Sequence, residues 1–168
     1  MILPELNQLP VSELKSALTT CCGSSAWVGE MAKLFPVESR ESLFEQTEII
    51  WYACSENDWR EAFTHHPKIG DIQSLREKFA TTNEWASGEQ AGVSTASHEV
   101  LEKLAEGNRL YEEKFGYIFI VCATGKSAVD MLAILESRLP NSPEEEILIA
   151  MQEQLKITKI RLEKLLNE

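Results

Sequence analysis

Apolar positions three and four apart dominate this chain, and they read as a succession of helices. In "PVSELKSALTTCCG" the residues Val11, Leu14, Ala17 and Leu18 share a helical face, with Gly23 as the stop. "SSAWVGEMAKLFP" is a second, short helix between serine caps and Pro36. Ser39 opens a third, whose face carries Leu43, Phe44, Thr47, Ile50 and Trp51. "SENDWREAFTHHP" is a fourth, opened by Ser55 or Asn57 and closed by Pro67, because the residue before a proline avoids helical geometry. Asp71 caps a fifth, "IQSLREKFA".

The stretch "TTNEWASGEQAG" is polar and rich in small residues, a loop or a short helix carrying Glu89 and Gln90. From about Ser94 to Lys114 the periodicity returns, with Val100, Leu101, Leu104, Asn108 and Tyr111 on one face. "YIFIVCAT" breaks it with a continuous apolar, β-branched run. With no second strand to pair with, that run is expected as a buried helix start or an extended segment. "SAVDMLAILESRL" is helical again. The last segment opens with Ser142 as cap, Pro143 at the first helical position and Glu145 completing a capping box. Its inner face runs from Ile147 and Ala150 through Leu155 and Thr158 to Arg161 and Leu162. No repeat or linker divides the chain, so the expectation is a single all-α domain over residues 1–168, a multi-helix bundle.

Composition narrows the chemistry. The formal net charge of −11 repels a phosphate backbone and an anionic membrane surface, which argues against nucleic acid and membrane partners. No apolar run is long enough for a membrane span, and "MILPELNQLP" lacks the basic and apolar regions of a signal peptide, so a cytoplasmic location is expected. The four cysteines form no C-x-x-C and read as buried free thiols rather than a zinc site or redox pair.

Three regions concentrate polar groups outside a surface pattern. "HHPKIGD" gathers His65, His66, Pro67, Lys68, Gly70 and Asp71 in one turn. Histidine is the usual proton-transfer group near neutral pH, although a histidine at a helix C-terminus also interacts favourably with the helix dipole. In "SGEQAG", Glu89 and Gln90 offer a carboxylate and an amide between small residues, or else lie on a solvated loop. "IFIVCATGKS" resembles a phosphate loop only in part: the required first glycine is Ile120, so Gly125 and Ser127 read better as a turn and a helix cap. Arg161 lies within the apolar face of the last helix, where it either snorkels outward or reaches inward to bind a carboxylate. Adjacent histidines do not readily share one metal, and His98 lies in an unrelated stretch, so no metal site is expected.

"HHPKIGD", "SGEQAG", "NRLYEEKFGYIFIVCATGKSA" and "MQEQLKITKIRLEKLL", in this order, resemble the 2-oxo-4-hydroxy-4-carboxy-5-ureidoimidazoline (OHCU) decarboxylases of urate breakdown. The likeness runs from "FPVES" to the C-terminus. It implies an all-helical, usually dimeric, cofactor-free carboxy-lyase that makes (S)-allantoin. Carried over by residue, it implies His66, next to Pro67, as the catalytic histidine, Glu89 as its acidic partner with Gln90 as a substrate contact, and Arg161 as the arginine of the "KIT…RL" ending. It also implies contacts from Phe119, Ile120, Val121 and Cys122, largely through backbone. Relatives carry a serine where this chain has Ala86, and Ser87 is the residue here that would supply that contact. The different class of function compatible with these residues is a helical module that binds a ureide or purine without turnover.

Overall fold

A computed structural model of the chain describes residues 1–67 and 90–167, the side chains of 90–97 excepted. Among the described residues there are eight helices and no strand, in agreement with the all-α expectation. They are α1 (Leu3–Asn7), α2 (Val11–Cys21), α3 (Ser25–Ala32), α4 (Arg40–Ala53), α5 (Glu56–Phe63), α6 (Gln90–Phe115), α7 (Ala128–Arg138) and α8 (Pro143–Asn167). The expected helix after Asp71 lies outside the described residues. Two compact units emerge, one formed by Met1–His66 with Ile149–Glu168, the other by Pro67–Leu148.

In the first unit the helix starts follow the serines. Ser24, Ser39 and Ser55 each accept a bond from a backbone N–H of the first turn, those of Trp27, Ser42 and Asp58. Such caps contribute about 1 kcal/mol each by satisfying donors that the helix leaves unpaired. Helix α3 packs against α2, α4 and α5, and the core between them is built on Trp27, Trp51 and Phe63, all essentially without solvent contact. Both buried indoles are satisfied: Trp27 Nε1 donates to the Thr47 carbonyl at 3.3 Å and Trp51 Nε1 to the Met151 carbonyl at 2.8 Å. Burying one tryptophan of this kind contributes roughly 5 kcal/mol before conformational entropy is subtracted. Asn7 pins Val37 from both sides, donating to its carbonyl at 3.0 Å and accepting from its N–H at 2.9 Å.

In the second unit α6 packs along α7. The approach is close at Gly107, where a Cβ would lie 2.5 Å from Leu135 Cδ2. Residues 117–123, which hold most of the apolar run, form neither helix nor strand. Side chains take the place of a neighbouring strand. Arg138 Nη1 donates to the Ile120 carbonyl at 2.7 Å, and Lys126 Nζ donates to the Cys122 carbonyl at 2.7 Å. A buried polar backbone group must find such a partner, and two long cationic side chains provide it here. Gly125, at φ 74°, makes the turn that follows, and Ser127 caps α7.

Arg138 is itself fixed by Glu146. Its Nε and Nη2 donate to the Glu146 carboxylate at 2.9 and 2.5 Å, and the Tyr111 hydroxyl donates to the same carboxylate. All three side chains are buried. Burial works against the charge on Arg138, but the bonded Glu146 carboxylate and the Tyr111 hydroxyl together outweigh it and leave the guanidinium pKa above its ordinary value. The guanidinium also stands 4.7 Å from the centre of the Phe119 ring.

Candidate functional site

The paired histidines follow the last residue of α5. That helix ends at Phe63, earlier than Pro67 would dictate, because the chain tightens into bonds of shorter span. Here the N–H of His65 reaches the Ala62 carbonyl and that of His66 reaches the Phe63 carbonyl. The tight turn sends the two rings to different surroundings. His65 is exposed and borders an open cleft of about 320 Å³, lined by Lys15, Thr19, Ser24 and Val28 among others. Its ring lies directly over Gly23, where a Cβ would come within 2.3 Å of His65 Cγ. His66 is half-buried, and its Nε2 lies 2.5 Å from Oε1 of Gln154.

Gln154 stands on α8 with no solvent exposure. Its Nε2 donates to Thr158 Oγ1 at 3.1 Å, and the Thr158 hydroxyl donates back to the Gln154 carbonyl at 3.0 Å. Thr158 also hydrogen-bonds the Cys22 thiol, which burial pushes up to about 12 despite that bond and one from the Ser24 backbone. Burial raises the pKa of the Cys21 thiol, and the Thr20 hydroxyl and the positive charge of Arg161, three residues beyond Thr158 on α8, partly offset it. Arg161 is half-buried. Bonds thus connect His66 to Gln154 and Gln154 to Thr158, and Arg161 follows Thr158 by three residues on the same helix. Gln154 and Arg161 are seven residues, or about 10 Å, apart along the helix axis.

Of the residues expected from sequence, His66 and Arg161 both lie in the first unit, His66 bonded to Gln154 on α8 and Arg161 seven residues further along that helix. Phe119, Ile120, Val121 and Cys122 lie in the irregular segment of the second, with Ile120 and Cys122 buried and Phe119 and Val121 half-buried. Pro67 is exposed. Gln90 is the first residue of α6, and Ser87 and Glu89 lie outside the described residues. The helix expected from about Ser94 begins four residues earlier. Cys21, Cys22 and Cys122 are buried free thiols, and Cys54, half-buried, is a free thiol as well. His98 pairs with Glu102 one turn away at 2.8 Å. Among the described residues no group of three or more His, Cys, Asp or Glu side chains is arranged to hold a metal, and no helix is long and apolar enough to cross a membrane.

Sequence periodicity did not single out Gln154. The signal was present as a glutamine in the inner face of α8, at the spacing 154, 158, 161 that places three polar residues on one side of a helix.

A family model described as OHCU decarboxylase matches residues 7–163. The chain is 39% identical over 150 residues to the uric acid degradation bifunctional protein TTL of Arabidopsis thaliana, covering 88% of this chain and 46% of that protein. It is 29% identical over 175 residues to the uric acid degradation bifunctional protein of Bacillus sp. (strain TB-90), covering 100% of this chain and 33% of the relative. The chain thus spans less than half the length of these two curated relatives. Among solved structures it resembles an OHCU decarboxylase crystallised in the presence of (S)-allantoin, with a TM-score of 0.71 and 35% identity over 89% of this chain and 96% of the other.

Proposed function

Because the chain belongs to the OHCU decarboxylase family, we propose that it decarboxylates OHCU to (S)-allantoin and carbon dioxide in urate degradation, without a cofactor. The observation that carries this reading is the family match over residues 7–163, and the bond of His66 to the buried Gln154 on α8, the helix that also carries Arg161, supports it.

The chemistry suits such a site. The substrate's carboxylate sits on a ring carbon beside a C=N bond, so the imine takes the place of the ketone in a β-keto acid. When the C–CO₂ bond breaks, its electron pair flows onto the imine nitrogen, and no separate electron sink is needed. The ring must then accept one proton on one face to give a single enantiomer. His66 is the proton-transfer group in this proposal, and Arg161 holds an anionic or carbonyl oxygen of the substrate, more strongly in the transition state than in the ground state. Glu89 orients His66 or holds ureido N–H groups, with Gln90, Ser87, Pro67 and Phe119 to Cys122 as further contacts. Family resemblance extends the proposal to a cytoplasmic homodimer with one catalytic domain, the assembly being measurable by sedimentation equilibrium.

The test is to generate OHCU in situ from urate with the two preceding enzymes, add this protein, and follow circular dichroism. Rapid appearance of one allantoin enantiomer, faster than spontaneous decay, is expected. His66→Asn should lower the rate on the order of 10²–10⁴-fold, the usual contribution of general acid–base catalysis. A racemic product at the spontaneous rate, from folded protein, would instead favour a module that binds a ureide without turnover.

A further inference from the structure

We infer that Lys126 is a positioning residue for the decarboxylation: bonded to the Cys122 carbonyl, it orients the next peptide so that the Ala123 N–H is presented to substrate as a donor. Arg138 does the same for the Val121 N–H through the Ile120 carbonyl. The inference deepens the proposed function and rests on it, in particular on residues 119–122 as substrate contacts.

The fold gives "TGKS" a role other than a phosphate loop. The Ala123 carbonyl accepts from the Lys126 N–H at 3.0 Å, and Gly125, at φ 74°, stands third in that turn, as in a type II turn. The turn brings Lys126 back alongside the residues that precede it, and its Nζ donates to the Cys122 carbonyl at 2.7 Å. Lys126 is half-buried. Holding so long a side chain on one carbonyl costs rotamer freedom that a solvated lysine would keep.

A peptide unit is planar, and in its trans form the C=O and the N–H that follows it point in opposite directions. Among the described residues only the Phe35–Pro36 bond is cis. With the Cys122 carbonyl bonded to Lys126, the Ala123 N–H is directed away from the ammonium. With the Ile120 carbonyl bonded to Arg138 at 2.7 Å, the Val121 N–H is directed away from the guanidinium. Of the four carbonyls in 120–123, those of Ile120, Cys122 and Ala123 already accept bonds. Among the described residues, by contrast, no acceptor meets the N–H of Val121 or of Ala123. Ile120 and Cys122 are buried while Val121 and Ala123 are half-buried, so the residues that carry these two N–H groups are the more accessible ones. A backbone contact from this stretch to substrate therefore falls to donors.

The cations also set the strength of those donors. A positive charge at the oxygen of an amide draws electron density to that end and makes its N–H the better donor. Such donors suit the reaction. When carbon dioxide leaves, the released electron pair reaches the imine nitrogen and, by conjugation, the 2-oxo oxygen on the ring carbon beside it. N–H groups held toward an oxygen that gains charge bind the transition state more tightly than the ground state. Lys126 thus acts through a peptide, without touching substrate itself.

The experiment titrates the full chain, labelled with ¹⁵N-valine and ¹⁵N-alanine, with (S)-allantoin. Val121 and Ala123 are assigned by the loss of their amide signals in Val121→Ile and Ala123→Ser. Both amide protons should move downfield in a saturable way. In Lys126→Met, which keeps the stem without the donor, the Ala123 movement should be lost and kcat should fall at least about tenfold while KM moves less than about threefold. Lys126→Arg keeps a donor for the Cys122 carbonyl, and its kcat should lie closer to wild type than that of Lys126→Met. A loss of stability alone would give neither that split nor that rescue. Saturable binding that leaves both amide signals unmoved overturns the inference, as does a folded Lys126→Met with wild-type kcat. If Lys126→Met fails to fold, the wild-type titration decides alone; if (S)-allantoin does not saturate the protein, the kcat of Lys126→Met decides. Failure of the wild-type protein to decarboxylate OHCU would instead overturn the underlying reading of function, whatever the amide signals do.

Discussion

Replacing Arg138 by methionine should be among the most damaging single changes available in the second unit, and pairing it with Glu146→Gln should recover much of the loss. Arg138→Met removes the bonds to three partners: the Glu146 carboxylate, the Ile120 carbonyl at 2.7 Å and the Tyr111 hydroxyl at 3.3 Å. Glu146, with no solvent exposure, is left as a buried charge without its cation, an arrangement that costs about 3–5 kcal/mol. The Ile120 carbonyl loses its donor as well, which adds about 1–3 kcal/mol if nothing replaces it. Glu146→Gln alone should cost a comparable amount by stranding the guanidinium. In the double variant both charges are gone, the Tyr111 hydroxyl can bond the new amide, and chiefly the Ile120 carbonyl remains unsatisfied. The double variant should therefore be no less stable than either single one, giving a coupling of about 3 kcal/mol or more. Urea unfolding of the four proteins at one fixed concentration measures the cycle. Additive losses in the double variant, or a loss below about 1 kcal/mol in Arg138→Met, would refute the view that this pair is an enclosed, mutually dependent unit.

Three further outcomes follow from the geometry. Gly23→Ala should destabilise by about 1–3 kcal/mol and reduce turnover by displacing the His65–His66 turn, because the new methyl meets His65 atoms within 2.3–2.7 Å; Gly29→Ala, which meets nothing within 4 Å in α3, should stabilise by about 0.5–1 kcal/mol, and thermal melts distinguish the two. Arg161→Ala should lower kcat/KM about 10- to 100-fold, the worth of a charge-assisted bond, chiefly through kcat; a rise in KM alone would mean that Arg161 binds substrate and transition state equally. Finally, the Cys22 thiol is raised from 9.0 to about 12 by burial. Below pH 9 it is protonated in folded and unfolded chains alike, whereas above that only the unfolded chain releases the proton. Stability should thus fall by about 1.4 kcal/mol per pH unit between roughly pH 9 and 12, and urea titrations of Cys22→Ala should show a shallower decline.

Most of the helices were legible because two independent signals coincided. Apolar periodicity set the inner faces, and Ser24, Ser39, Ser55 and Ser127 marked the starts that the backbone uses. Helix ends were less legible where tertiary context decides them. Phe63 ends α5 through a tightening of backbone bonds that no residue type announces, and α6 begins at Gln90 inside a stretch whose glycines and small residues suggest a loop. Of the candidate site, His66 and Arg161 are proposed from the order of four motifs, each weak by itself. Gln154 was not found, since one glutamine in a helix that also carries Gln152 does not reveal which of the two points inward. The partnership of Arg138 with Glu146 was hidden differently: "SRLPNSPEEE" reads as a solvated turn flanked by charges, yet one arginine and one of three consecutive glutamates are drawn into the interior.

The three polar residues of α8 also constitute a phase measurement. At 100° per residue, Thr158 lies about 40° to one side of Gln154 and Arg161 about 20° to the other, so all three fall within a sector of about 60°. The buried Leu155, Leu162 and Leu166 are timed by the same rotation. Inserting or deleting one residue between 154 and 161 would swing everything downstream by about 100°, carrying Arg161 off the side it shares with Gln154 and the downstream leucines off the core at a stroke. Function and packing therefore share a single clock in this helix. Substitutions are expected to accumulate at outward positions such as Gln152, Lys156 and Glu163, and changes of length only at the helix ends.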